Sequence, residues 1–182
     1  MKKNKISFET NFWVAYEIEN PFEVVTAFFD YAHLDYYKQT LCEAVFYINK
    51  EKVYKKDYPG EVFVFYTALR SFIKACFCLQ YKNKKWKVNE LSSERRSILH
   101  QASLTAEEYI DPFIVFQNAF AAKSLDDFEF FLCEITHLSL SPSAIEFDCD
   151  LMTPYIHLIK MLDASQLIRE RGVEKIKNVE QP

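Results

Sequence analysis

The pattern closest to a known chemistry is Glu134-Ile135-Thr136-His137. A carboxylate and an imidazole three residues apart share one face of a helix, as in the inward-facing motif of carboxylate-bridged di-metal bundles. Such a centre needs a second Glu-x-x-His and two further glutamates. The counterpart stretch Glu43-Ala44-Val45-Phe46 has phenylalanine where histidine is required, and Asp30-Tyr31-Ala32-His33 falls at the end of another helix. Glu134 and His137 are thus the metal-ligand candidates of a carboxylate-bridged metal protein, one alternative reading of the chain. Glu43 and Glu134 each follow a cysteine, which suggests a paired acid/base site. A residue repeated at matching positions more commonly repeats a structural role.

A second constellation is cationic. Lys82, Lys84, Lys85, Lys87, Arg95 and Arg96 gather around Trp86 and are opposed only by Glu90 and Glu94. Lysines that meet phosphate beside a ring that stacks on bases make a single-strand-binding surface. The other alternative is therefore a nucleic-acid-associated regulator that uses the basic linker 82–96. Against it stands a net charge of −4, since phosphate neutralisation needs a basic face. Trp86 tucked against the protein body is the competing role for that ring.

Nucleophilic chemistry finds little support. The five cysteines are Cys42, Cys76, Cys78, Cys133 and Cys149, an odd number without a CxxC pair. Cys42, Cys76, Cys78 and Cys133 fall on apolar positions, and Cys149 lies between two aspartates. They are expected to be reduced core cysteines rather than a disulfide framework. No GxSxG occurs, and the four histidines follow no motif. With two glycines, Gly60 and Gly172, neither a dinucleotide fingerprint nor a phosphate-binding P-loop can be written. No catalytic residue and no cofactor is assigned.

The elements that must position these groups are helices. Average glycine usage would give roughly a dozen in a chain of this length, and sheets need them at turns and bulges. An apolar fraction of 49% with 26% charged residues is that of a folded domain, and 182 residues fit one. The basic start Met1-Lys2-Lys3-Asn4-Lys5 is followed by Glu9, Thr10, Asn11 and Glu17 rather than an apolar run. The run from Val62 to Leu79 is broken by Arg70 and Lys74. The expectation is a soluble cytoplasmic protein with no membrane association.

The sequence also repeats itself. Residues 20–43 laid over 111–134 match without a gap at Pro21/Pro112, Phe22/Phe113, Val24/Val115, Phe29/Phe120, Leu34/Leu125, Asp35/Asp126, Leu41/Leu132, Cys42/Cys133 and Glu43/Glu134. Asn20 and Asp111 read as N-caps, each followed by proline at the first helical position, where its missing N–H costs nothing. Ser124 reads as the cap of a second helix. A third helix is expected from Pro59 to about Tyr81, with a stripe of Phe65, Leu69, Phe72, Cys76 and Leu79 opposite Thr67, Arg70, Ser71 and Lys74. Its counterpart starts at Thr153-Pro154, carries Tyr155, Leu158, Leu162 and Ile168, and stops at Gly172. Residues 6–18 and 145–151 alternate apolar and polar and suggest short strands or extended lead-ins. A linking helix is conceivable in SSERRSILHQ.

The reading is an all-α fold: a single domain, 1–182, in which a duplicated three-helix unit forms a six- to seven-helix bundle about a pseudo-two-fold. Pseudo-repeat one spans about 20–81, the linker about 82–104 and pseudo-repeat two about 111–171. The segment Leu104-Thr105-Ala106-Glu107-Glu108-Tyr109-Ile110-Asp111-Pro112-Phe113, together with Asn20-Pro21-Phe22 and Phe28-Phe29, resembles the helix openings of an uncharacterised family of bacterial all-helical proteins. That resemblance implies helices and no activity. The functional expectation is a non-catalytic protein-interaction or adaptor domain that binds a protein partner or forms a homodimer. Its motivation is the aromatic fraction of 16%.

Overall fold

Helix starts follow their capping residues. The Asn20 side chain accepts from Phe22 N, and Asp111 accepts from Phe113 N, both at 3.1 Å. Ser124 and Asp127 form a reciprocal capping box, and so do Thr105 and Glu108. The computed structural model describes residues 6–48, 50, 53–54, 60–90, 102–142 and 150–176. Among them the α-helices are α1 (Pro21–Tyr31), α2 (Leu34–Tyr47), α3 (Glu61–Leu79), α4 (Ala106–Ile110), α5 (Phe113–Ala122), α6 (Leu125–Ser139) and α7 (Met152–Arg171). Strands β1 (Trp86–Val88) and β2 (Val173–Lys175) pair antiparallel, Trp86 opposite Lys175 and Val88 opposite Val173. The chain is an all-α bundle.

Helices α3 and α7 run through the centre. α1 lies on α3, and α5 lies on α7. α3 is also covered by α6 and α5, and α7 by α2 and α1, while α2 and α6 pack on each other. The stripe Phe65, Leu69, Phe72, Cys76 and Leu79 is buried throughout, as its spacing predicts. By length and composition α3 is the one described helix apolar enough to cross a bilayer. In this fold it is the covered core helix.

Aromatic rings fix the junction of α1, α2 and α3. Phe28 stacks on Tyr37 at 3.7 Å between centroids and on Phe72 at 4.5 Å. The Tyr37 hydroxyl donates to the Phe28 carbonyl at 2.8 Å, and burial drives its pKa up. That bond ties α2 to the α1 backbone inside the core.

Several expectations are corrected. Residues 6–18 form no strand; they hold a 3₁₀ turn at Thr10–Phe12. The cause is Glu17, whose carboxylate accepts the amides of Phe8, Glu9 and Thr10 at 2.9, 3.0 and 2.9 Å and folds the segment back. Of 145–151 only Asp150 and Leu151 are described, and neither is in a strand; SSERRSILHQ lies outside the described residues. α7 opens at Met152 rather than at a Thr153 cap, because Asp150 accepts Thr153 N at 3.0 Å. Gly172 does terminate it, at φ 74. Lys74 and Ser71 are buried instead of facing outward, because the 3₁₀ turn and α6 cover that side of α3.

Replacing Phe28 with alanine removes a ring stacked on both sides. The variant is expected to lose about 3–5 kcal/mol in urea unfolding. A loss below about 1 kcal/mol would show that the junction repacks around the vacancy.

Candidate functional site

The metal candidates do not converge. On α6, Glu134 is half-buried and His137 is exposed. No group of three or more His, Cys, Asp or Glu able to hold a metal ion occurs among the described residues. Glu43, at the matching place on α2, accepts the Tyr54 hydroxyl at 2.6 Å and the Gln39 amide at 2.7 Å. Burial, then that carboxylate, push the Tyr54 hydroxyl up. Glu43 thus anchors the segment after α2.

The basic stretch is a structured turn and strand. The carbonyl of Lys82 accepts the amides of Lys85 and Trp86, both at 2.9 Å. Lys84 and Lys85 are exposed, and Lys82 is half-buried. Trp86 is tucked against the bundle: its ring meets Phe22 at 5.4 Å, and the Lys175 ammonium lies 5.4 Å from its centroid. Lys87 pairs with Glu174 at 2.8 Å across the strands, and that contact raises its pKa. Arg95 and Arg96 lie outside the described residues.

Two of the expected core cysteines are not in the core. Cys76 is buried and its thiol pKa driven up by that burial, whereas Cys42 and Cys133 are exposed. The apolar stripes of α2 and α6 run through Leu41 and Leu132, and the next residue turns to the surface. Cys78 is half-buried, and Cys149 lies outside the described residues.

The side chains that do converge line a groove between α2 and α7. It has a volume of about 500 Å³ and is formed by Lys38, Gln39, Cys42, Tyr155, Ile156, Ile159 and Lys160, with Ser103 at one end. Lys38 and Cys42 share a face of α2 at i and i+4. The Tyr155 hydroxyl contacts Cys42, and burial followed by that contact raises its pKa. Behind the groove lies Asp163, a fully buried carboxylate that pairs with Lys38 and accepts Ser103 N at 3.2 Å and Ser103 Oγ at 2.6 Å. Lys160 reaches both oxygens of the buried Glu108 at 2.9 and 2.8 Å. Burial pushes the Glu108 carboxyl up, but Lys160 and the Thr105 amide outweigh it, and the net pKa falls below 4.5.

A second groove, of about 210 Å³, lies between α3 and the 3₁₀ turn. Glu9, Phe12, Phe63, Tyr66, Thr67 and Arg70 form it. Phe12 and Phe63 are 56% and 57% exposed. Arg70 is clamped there between Glu9 at 2.8 Å and Glu129 at 3.3 Å.

Comparison with protein-family models, curated proteins and solved structures finds no match to this chain.

Neither groove was legible in the sequence, because each joins residues about fifty or more positions apart. Two signals were present. Asp163 interrupts an apolar stretch, Met161-Leu162 before it and Ala164 after it, and a charge there must be paired. Thr105 and Glu108 are spaced as a capping box.

The Glu108 pKa is lowered on folding, so its contribution is present above its unfolded value near 4.5 and is lost as pH falls through the folded value. The Glu108→Gln variant is therefore expected to be less stable at neutral pH and to show a shallower loss of stability on acidification. Parallel pH-stability curves for the two proteins would remove Glu108 from the acid response.

Proposed function

We propose that the chain is a non-catalytic interaction module, a duplicated three-helix unit that presents an exposed aromatic surface to a protein partner. The observation that carries this reading is the groove in which Phe12 and Phe63 stand more than half exposed beside Tyr66. Aromatic groups in the middle and charged groups at the margin, here Glu9 and Arg70, are the composition of a protein-binding patch. The cationic stretch carries no second reading, since Trp86 is covered and Lys87 is paired.

The duplication is supported by contacts between equivalent residues. In the first two helices position n corresponds to n + 91, as Phe22 does to Phe113. In the third, the burial patterns of α3 and α7 agree at n + 89, as Tyr66 does to Tyr155 and Cys76 to Ser165. Two of these pairs touch each other: Phe22 meets Phe113 at 6.5 Å between ring centroids, and Cys76 Sγ lies 3.8 Å from Ser165 Oγ. A residue touches its own equivalent only beside a two-fold axis. The helix pairings obey the same exchange, α1 on α3 with α5 on α7, and α3 on α6 with α7 on α2.

The ion pairs obey it with their signs reversed. Lys38 on α2 pairs with Asp163 on α7, while at the equivalent places Glu129 on α6 lies 3.7 Å from Lys74 on α3. The Lys38→Glu variant is expected to lose about 3 kcal/mol or more by leaving Asp163 buried beside a like charge. Adding Asp163→Lys, which copies the polarity of the other pair, is expected to restore part of that loss. A double variant no more stable than Lys38→Glu would break the equivalence of the two pairs.

The interaction reading is tested with a Phe12→Ser, Phe63→Ser double variant. Both side chains are exposed, so the fold should persist, as a thermal melt will show. The expected result is a stoichiometric protein captured by the wild type from its native lysate after nuclease treatment, and absent from the variant. Light scattering reports a second copy as that partner. A partner set unchanged by the two substitutions would overturn the reading.

A further inference from the structure

The two grooves occupy equivalent places in the two halves, and the proposal here rests on the duplicated reading only for that comparison. Tyr66, Thr67 and Arg70 of the smaller groove correspond at n + 89 to Tyr155, Ile156 and Ile159 of the larger. Phe12, in the lead-in before the first unit, corresponds at n + 91 to Ser103 before the second. Set side by side, the differences open space at Ser103 and replace polar groups with apolar ones along α7. The α2–α7 groove has serine where the other has phenylalanine, and two isoleucines where the other has threonine and a clamped arginine. Its volume is about 500 Å³ against about 210 Å³. An apolar cavity of that size is on the scale of a small-molecule site, roughly 300–1,000 Å³.

The charges at the mouth define the ligand. Lys38 and Lys160 line the groove with side chains 25% and 23% exposed. Their carboxylate partners face inward: Asp163 has no exposed surface, and the Glu108 side chain is 7% exposed. No carboxylate is among the groove's described lining residues. Each ammonium carries three N–H donors. Lys160 spends two contacts on Glu108, and Ser103 and Gln39 add polar groups at the rim. The combination is a largely apolar lining with two ammonium groups, each paired with a buried carboxylate that is itself absent from the described lining.

We propose that the α2–α7 groove binds a small amphipathic anion, an alkyl chain ending in a carboxylate. The chain lies along Tyr155, Ile156 and Ile159, and the carboxylate accepts from Lys38 and Lys160. This site is separate from the Phe12–Phe63 surface, so the two readings fail independently.

The test is calorimetric titration of the whole protein with octanoate, 1-octanol and octylammonium. Octanoate is expected to saturate one site per chain, with octanol at least about tenfold weaker and octylammonium unbound. Ile156, 48% exposed, tolerates substitution without loss of the core. Ile156→Trp, which fills the groove, and Ile156→Asp, which adds an anion to it, are each expected to abolish octanoate binding while a thermal melt remains cooperative. Thr67→Trp fills the equivalent groove and is expected to leave octanoate affinity unchanged. The proposal is overturned by absence of saturable octanoate binding, by octanol binding as tightly, or by affinity that survives both Ile156 variants.

Discussion

The architecture depends on one constraint: neither α3 nor α7 can be fully covered by its own half of the chain. α3 buries ten residues, from Phe65 to Leu79, on nearly every side. α1 supplies one wall, and the others come from α5 and α6, which lie beyond the 82–104 segment. α7 has the reciprocal need and meets it with α2 and α1 as well as α5. A helix apolar around most of its circumference has to be interior. Each half therefore completes the other's core, and the α2–α7 groove forms where α2 of the first half rides over α7 of the second.

Burying those crossings brings charges inside. Lys74 is 8% exposed and Asp163 has no exposed surface, positions at which an unpaired charge is expensive. Each is answered from the other half, Lys74 by Glu129 and Asp163 by Lys38, and each also from the lead-in to its own half: Glu9 lies 3.1 Å from Lys74, and Ser103 binds Asp163. Such pairs contribute little net stability, because desolvation offsets attraction. Their effect is on register, since sliding α2 along α7 by a turn would strand Asp163 without a cation.

The same crossings explain where cysteine and tyrosine ended up. Cys42 and Cys133 lie one residue past the buried Leu41 and Leu132, at the edge of the helix–helix seam rather than inside it. Tyr155 and Tyr66 line the grooves at that edge. Tyr37, by contrast, has no exposed surface and satisfies its hydroxyl on the Phe28 carbonyl. Its burial is acceptable because that one polar atom has a partner.

Local chemistry was readable from the sequence alone. Glycine scarcity, the Asn20-Pro21 and Asp111-Pro112 openings, the Ser124 box, the Gly172 stop and the α3 stripe all act within a few residues, and the helices follow from them. The matching of residues 20–43 with 111–134 was equally visible, because it is a property of the string. Tertiary structure decided the remainder. Trp86 could be assigned to the bundle rather than to a ligand only once Phe22 and β2 were beside it. The burial patterns of α3 and α7 agree at n + 89 rather than at an offset set by Thr153-Pro154, an agreement their few identities do not show. The pairing of Lys38 with Asp163, and with it the cationic rim of the α2–α7 groove, joins positions 125 apart in a chain whose local rules reach only one or two helical turns.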